Sequence, residues 1–260
     1  MAGGRYLLLL MMPLLAGCGE RVRVTTRFEL PTRADEQPRC PYTWRRGDSW
    51  PLMAWAVLDS PEDARALAVS SGYEAGESPD PGQDIYVALD SRLAEALKAR
   101  MSAARMVREA TKARESGDRA TACSLLVEAI EEDSSWSVPV YDLGIHYLED
   151  GRRHRAVEVL RPLAHKYRIA LLLARIAWDD GRTADALRLL ETALLDPDPP
   201  TEVLAACGIA YTVTGNLYQA ASIWRRILAD PDAPSDLRLE AVRYALGQQS
   251  REQRSLEDTP

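Results

Sequence analysis

Residues 141–160, YDLGIHYLEDGRRHRAVEVL, decide the fold of most of this chain of 260 residues. Leu143 and Tyr147 precede Gly151 at helical spacing, and Ala156 continues an apolar pattern after it. Glycine is the residue that most readily adopts the left-handed conformation just after a helix. The stretch therefore predicts two helices joined by a tight turn at Gly151.

The same pattern occurs four times in the second half of the chain. Its turn glycines are separated by 34, 30 and 34 residues. A small residue lies seven positions before each glycine, an alanine five after it and a large apolar residue nine after it. In that order the four sets are Ala110, Gly117, Ala122 and Leu126; Gly144, Gly151, Ala156 and Leu160; Ala174, Gly181, Ala186 and Leu190; and Gly208, Gly215, Ala220 and Trp224. A repeat of this length indicates a solenoid of stacked helical hairpins.

These positions resemble the tetratricopeptide repeat (TPR), in which small residues let two antiparallel helices approach and a large residue fills the gap. The resemblance implies an α-solenoid of about four hairpins over residues 103–234, with the second repeat shortened near His165. A capping helix is predicted over 235–248, followed by a polar tail over 249–260 that we expect to be disordered. The capping helix carries an apolar series of Leu237, Leu239, Val242 and Leu246.

The TPR resemblance also implies a concave face, formed by the first helix of each hairpin, that binds a protein partner. Such a groove, apolar with two arginines, suits an apolar helix or extended segment that carries an acidic group. The other interpretation of these residues is half-burial between neighbouring helices. The positions that correspond to the inward face are Val107, Arg114, Tyr141, Ile145, Leu148, Arg175, Trp178, Ile209 and Val213.

Residues 41–90 have a different pattern, which predicts strand, helix, helix and strand. Tyr42-Thr43-Trp44 is a strand signal, and residues 85–89 form a second one. Ser49 and Ser60 are residue types that begin helices, and Gly72 ends the second helix. Residues 91–102 are predicted to be a helix that connects this segment to the repeats.

This segment resembles a LysM domain, the small βααβ module that binds glycans containing N-acetylglucosamine. The matching motifs are Tyr42-Thr43-Trp44, Gly47-Asp48-Ser49, Met53-Ala54 and Pro81-Gly82-Gln83. Trp50 departs from the aliphatic residue usual there, and it is open to two interpretations, sugar contact or core packing. Asp48 and Ser49 are also helix-capping types. The resemblance implies a glycan-binding groove formed by Gly47, Asp48, Ser49, Trp50, Glu74, Glu77, Ser78 and Pro79.

The amino terminus has the features of a secretory signal. Arg5 precedes an uncharged run over residues 6–16, which is too short to cross a bilayer. The sequence Leu15-Ala16-Gly17-Cys18 resembles the lipobox of bacterial lipoproteins, which implies a signal peptide over 1–17 and a lipidated Cys18. An ordinary signal peptide or a buried apolar helix is the alternative. Residues 18–40 are then a flexible tether. The residue after the lipidated cysteine is Gly19 and not the aspartate that retains some lipoproteins on the inner membrane, so the resemblance favours the periplasmic face of the outer membrane.

The remaining composition disfavours catalysis and nucleic-acid binding. The net charge is −7, and no basic helix is interleaved with aromatic residues. The other cysteines, Cys40, Cys123 and Cys207, and the three histidines form no pattern typical of a metal or catalytic site. We therefore expect no enzyme activity, no cofactor and no metal. The expected function is that of a cell-envelope lipoprotein that binds peptidoglycan and recruits an envelope protein as a scaffold. The alternatives are an assembly factor whose LysM no longer binds sugar and, less favoured, an accessory subunit of a wall hydrolase.

Overall fold

A computed structural model describes residues 39–74, 76–89 and 91–245. The predicted signal peptide, Cys18, nearly all of the tether and the tail over 249–260 lie outside the described residues. The chain divides into two compact units, and the boundary falls between Leu160 and Arg161. Most described residues are helical, and one small sheet occurs near residue 40, which confirms the predicted fold class at that level. Within the described ranges, no helix has both the length and the apolar character needed to cross a membrane.

The first compact unit begins with two antiparallel strands that enclose two helices in sequence. Arg39 lies opposite Ala88 and Thr43 lies opposite Asp84, and the Thr43 hydroxyl donates to the Asp84 carboxylate over 2.7 Å. The first strand begins earlier than predicted, so residues 39 and 40 belong to the sheet and not to the tether. These elements are β1 (Arg39–Thr43), α1 (Trp50–Leu58), a 3₁₀ turn (Pro61–Asp63), α2 (Ala64–Ser70) and β2 (Asp84–Ala88).

Four helices complete the first compact unit. They are α3 (Ser91–Glu115), α4 (Arg119–Glu132), α5 (Ser137–Glu149) and α6 (Arg153–Leu160). The predicted connecting helix and the first helix of the repeats are one continuous helix, α3. Gly117 and Gly151 have φ angles of +85° and +71°, so both predicted turn glycines occupy the left-handed conformation that favours glycine.

The second compact unit contains two further helical hairpins and a last helix. A 3₁₀ turn (Arg161–Leu163) precedes α7 (Tyr167–Asp179), α8 (Thr183–Ala193), α9 (Thr201–Thr214), α10 (Leu217–Ala229) and α11 (235–245). Gly181 and Gly215 lie between the paired helices with φ angles of +73° and +79°. All four predicted turn glycines therefore separate helices.

The predicted apolar face of the last helix is wrong in part. Leu237 and Ala241 are buried and Tyr244 packs against the same core, whereas Leu239 and Val242 are 52% and 41% exposed. Residues four and three positions apart share a helix face, so burial of 237, 241 and 244 turns 239 and 242 away from the core. Leu246 lies outside the described residues.

Each glycine at a small position of the repeat sits directly under the large residue sixteen positions later. A Cβ atom added at Gly144 would lie 2.7 Å from Leu160 Cδ2, and one added at Gly208 would lie 2.8 Å from Trp224 Cε2. The small, alanine and large positions of the other repeats are buried as well. The paired helices thus approach closely because the residues at the crossing points are small.

The strands and the first helices share one hydrophobic core. Met53, Leu67 and Ile85 from the βααβ segment belong to the same buried cluster as Met101 of α3 and Trp136 before α5. Helix α3 therefore serves both as the support of the small sheet and as the first helix of the repeats.

Candidate functional site

The first compact unit contains five of the predicted groove residues, and four of them reach the surface. Arg114, Tyr141, Ile145 and Leu148 are partly exposed. Val107 is 1% exposed and lies in the core. Its predicted place on a binding face is corrected, because α3 buries that position against the surrounding elements.

The second compact unit contains the other four predicted groove residues. Arg175 and Trp178 are partly exposed and Val213 is half exposed. The guanidinium of Arg175 lies 3.9 Å from the Asp179 carboxylate one helical turn later. Ile209 is buried in the core of this unit, so its predicted contact with a partner is also corrected.

A depression opens between α3, α4 and α5, and we call it the interhelix depression. Three of its lining residues, Ala110, Ala122 and Leu126, are apolar, and the polar ones are Thr111, Arg114, Asp142 and His146. Of the polar residues, only Arg114 belongs to the set predicted from the sequence. The lining thus combines apolar side chains with groups that can form hydrogen bonds or ion pairs.

On α5 the residues that line the interhelix depression are Asp142 and His146. Each follows one of the predicted inward-facing residues, Tyr141 and Ile145, by one position. One residue corresponds to a rotation of about 100° around a helix. The signal that could have identified these two residues is their own four-residue spacing, which places a carboxylate and an imidazole on one helix face.

Within the described part of the chain, two polar residues of the interhelix depression have side-chain groups without a protein partner, one at the surface and one buried. The guanidinium of Arg114 has no hydrogen bond or ion pair there. His146 is 3% exposed, and its Nδ1 atom is buried without a hydrogen-bond partner. Its Nε2 atom lies 3.7 Å from the Asp150 carboxylate, which accepts a hydrogen bond from Arg119 over 2.8 Å.

The predicted glycan groove has two walls, the first formed by residues 47–50 and the second by residues 74–79. The two walls are adjacent in the βααβ segment. The indole Nε1 of Trp50 donates to the Glu77 carbonyl over 2.9 Å. The Trp50 ring lies between Trp44 and Tyr73, at centroid distances of 5.0 and 5.4 Å. Trp50 is 5% exposed, so it packs in the core. Its ring face is therefore not available to stack on a sugar, which was the other interpretation of this residue.

Asp48 organises the first wall from inside the protein. Its side chain is fully buried and accepts from the Tyr42 hydroxyl over 2.6 Å, the Arg45 amide over 2.8 Å and Arg105 over 2.8 Å. Burial, together with the hydrogen bond to Asp48, raises the pKa of Tyr42 to about 12. Because the Asp48 carboxylate already has these partners, we correct its predicted role from sugar contact to support of the turn.

The other predicted glycan residues divide between structural and exposed positions. Ser49 caps α1 by accepting from the Leu52 amide over 3.2 Å, and Pro79 is buried. Glu74, Glu77 and Ser78 are exposed, although one Glu77 carboxylate oxygen accepts from the Glu74 amide over 3.0 Å.

Helix α3 adds a residue to this region that the sequence did not suggest. Arg108 donates to the Gly47 carbonyl over 2.8 Å, and a Cβ at Gly47 would lie 3.3 Å from its guanidinium. Gly47 has a φ angle of +89°, so this turn requires glycine for its backbone conformation. Arg108 was missed because it is about sixty residues away in the sequence.

The described residues offer no group of three metal-binding side chains close enough to hold an ion. Cys40, Cys123 and Cys207 are free thiols. Burial, with a smaller effect from the Glu191 carboxylate, raises the pKa of the Cys207 thiol to about 12. A buried thiol of this kind is a poor nucleophile because the thiolate is the reactive form.

Comparison with known proteins finds distant similarity among solved structures. No family model matches the chain, and no curated protein matches it. Among solved structures, the chain is similar to one described as "MamA RS-1 ArsTM double mutant", with a TM-score of 0.41 and 18% sequence identity. That alignment covers 55% of this chain and 79% of the other.

Proposed function

We propose that this chain is a non-catalytic adaptor whose TPR-like helical hairpins bind a protein partner. The observation that carries the proposal is the close helix packing at Gly144 beneath Leu160, repeated at Gly208 beneath Trp224. This packing, at the spacing of the sequence repeat, supports an array of hairpins. Such arrays present extended surfaces suited to protein binding.

In each compact unit, partly exposed apolar side chains supply a proposed contact surface of that unit. On α5 these are Tyr141, Ile145 and Leu148, and on α7 the indole of Trp178 is partly exposed. Aromatic side chains of this kind contribute disproportionately to binding energy at protein interfaces. The partner is an envelope protein under this proposal.

The test is co-purification of partners by the full chain from solubilised envelopes of its host. The double variant Tyr141→Ala with Trp178→Ala should lose a specific partner while its helical circular dichroism stays unchanged. Tyr218→Ala is the matched control, because Tyr218 is 82% exposed and lies outside the predicted groove. Retention of the partner by the double variant would refute binding through these side chains.

We also propose that the βααβ segment is a LysM-like module that binds peptidoglycan. Its motifs, the antiparallel strands and the adjacent walls at Trp50 and Glu77 support this proposal. The sugar contacts are assigned to the exposed Glu74 and Ser78, with Arg108 beside the Gly47 turn. A segment that no longer binds sugar is the alternative, and it leaves the adaptor role intact.

Sedimentation with purified sacculi tests the glycan proposal. The Cys18→Ser protein should co-sediment, and Glu74→Ala with Ser78→Ala should reduce the bound fraction. Val69→Ala is a control on an exposed apolar residue of the same segment. Complete recovery of the Cys18→Ser protein in the supernatant would exclude glycan binding.

We propose, finally, that Cys18 carries a lipid that anchors the chain to the periplasmic face of the outer membrane. The lipobox motif supports this proposal, and two or more acyl chains hold a protein stably on a bilayer. Labelled palmitate should be incorporated into the full chain and not into the Cys18→Ser variant. Absence of label from the unaltered protein, with recovery in the cytosol, would exclude the anchor.

A further inference from the structure

We propose that the βααβ segment recognises peptidoglycan through the carboxylates of its peptide substituents, which bind to Arg45, Arg46 and Arg108. We call these three residues the arginine cluster. The inference rests on the proposed function of this segment in peptidoglycan binding, and it specifies which chemical group of the polymer is recognised. N-acetylglucosamine alone is uncharged, so a carboxylate is a different ligand from the sugar that the sequence motifs imply.

The three arginines meet at the turn between β1 and α1. Arg45 and Arg46 directly precede Gly47 in the sequence. Arg108 of α3 donates from Nη1 to the Gly47 carbonyl over 2.8 Å, although the two residues are 61 positions apart. The Arg108 side chain is 35% exposed. This turn therefore carries three cationic side chains at the surface, and one of them is held in place by a hydrogen bond.

The carboxylates of this region have other partners. Asp48 has a fully buried side chain and pairs with Arg105 over 2.8 Å. Glu109 lies 3.0 Å from the ammonium group of Lys112 and 3.6 Å from the guanidinium of Arg108. One exposed carboxylate is thus shared between two cations and leaves an excess of positive charge.

Arg45 and Arg46 supply most of that excess. Both are exposed, and within the described part of the chain their guanidinium groups form no hydrogen bond or ion pair. The whole chain has a net charge of −7, so an acidic polymer is repelled on average and needs a local positive region to approach. A planar guanidinium matches a carboxylate in charge and in the geometry of its donors.

The opposite wall of the predicted groove fixes the direction in which a strand would lie. The two walls are joined where the indole of Trp50 donates to the Glu77 carbonyl over 2.9 Å. Glu74 and Glu77 are exposed on the second wall, where like charge would repel a carboxylate. Sugar hydroxyl and amide groups can donate to these glutamates. The neutral sugar is therefore placed at the second wall and the acidic peptide at the arginine cluster.

Calorimetric titration of the Cys18→Ser protein with soluble fragments provides the test. The probes are disaccharide-peptide fragments of peptidoglycan, the same fragments with their carboxylates converted to amides, and an N-acetylglucosamine tetramer. Glycan strands stripped of peptide, which keep only the lactyl carboxylate of muramic acid, distinguish the two sources of a carboxylate. The unmodified fragments should bind at least about fivefold more tightly than each of the other three probes. Added salt should reduce this preference, because it screens exposed charges.

Variants then separate recognition from net charge. Arg45→Gln with Arg46→Gln should weaken binding of the unmodified fragments at least about threefold and leave the amidated fragments unaffected. Arg65→Gln with Lys98→Gln is the matched control, because it removes the same charge from two exposed residues of the same compact unit. This control should leave both affinities unchanged, and circular dichroism should show that both double variants are folded.

Equal binding of the unmodified and amidated fragments, or equal losses in the two double variants, would overturn the inference. Equal binding of the stripped strands would overturn the assignment to the peptide. Co-sedimentation with sacculi, together with failure to distinguish the fragments, would reject this inference alone and retain the glycan proposal. Recovery in the supernatant with sacculi, together with no binding of any fragment, would reject both.

Discussion

Replacing Gly208 by alanine tests the helix packing on which the repeat architecture depends. Gly208 lies within α9, and an added methyl group would be 2.8 Å from Trp224 Cε2 and 2.9 Å from Cζ2. The indole is buried and rigid, and its Nε1 donates to the Thr212 hydroxyl over 3.2 Å. The clash therefore cannot be relieved by rotation of a flexible side-chain end.

The expected change in the free energy of unfolding is the difference between two effects. Overpacking a well-filled core destabilises by about 1–3 kcal/mol, whereas alanine in place of glycine inside a helix stabilises by about 1 kcal/mol. We expect Gly208→Ala to lower stability by up to about 2 kcal/mol. Gly144→Ala should cost less, because the Leu160 side chain above it has more rotational freedom than an indole.

Urea unfolding followed by circular dichroism measures this change. Trp224→Leu provides the control background, because it removes the indole that meets the new methyl group. In that background Gly208→Ala should lose the overpacking penalty and keep only the gain in helix propensity, which corresponds to a coupling energy of about 1–3 kcal/mol between the two positions. A stabilisation of about 1 kcal/mol by Gly208→Ala alone, as expected of an uncrowded helix glycine, would refute the packing argument.

Three further predictions concern buried polar groups. Asp48→Asn should lower the free energy of unfolding of the first compact unit in urea by about 3 kcal/mol, because it removes the buried charge that pairs with Arg105. A free energy of unfolding unchanged within error would show that the carboxylate is dispensable. Burial and then the hydrogen bond to a glutamate raise the pKa of Tyr211 from 10.0 to about 12, so its contribution to stability is complete below pH 10 and is lost as the pH rises to 12. Thermal melts across that range should show a smaller alkaline loss in the Tyr211→Phe variant, and an equal loss would contradict the assignment. Iodoacetamide should alkylate Cys207 at least about a hundredfold more slowly than Cys123 in the native protein, because the Cys207 thiol is buried and its pKa is raised to about 12. Mass spectrometry measures the two rates. Comparable native rates would show that the core of the second unit opens readily.

The sequence was sufficient for features that depend on local backbone geometry. Gly117 and Gly215 each follow a helix with a positive φ angle, and a turn that needs this conformation selects glycine directly. The close approach at Gly208 was predictable for a similar reason, because a small residue and a large one recur at a fixed separation. These features involve residues within about one hairpin of each other.

Features that depend on the rotation of a helix or on distant partners were not predictable. Val107 and Ile209 carry the right spacing for an inward face, but spacing does not reveal that other elements cover them. The hydrogen bond from Arg105 to Asp48 joins residues 57 positions apart, and no local sequence pattern predicts it. The orphaned imidazole nitrogen of His146 is likewise a property of the packed helices.

The sharing of α3 between the small sheet and the repeats has a consequence for how this chain can be shortened or recombined. Leu97, Met101 and Ala104 are buried on α3 in the core that the strands help to form. In a fragment beginning at Ser91, these apolar side chains would be exposed to water on one face of α3, and the fragment should self-associate. A recombination that separates the two halves would expose the same apolar side chains.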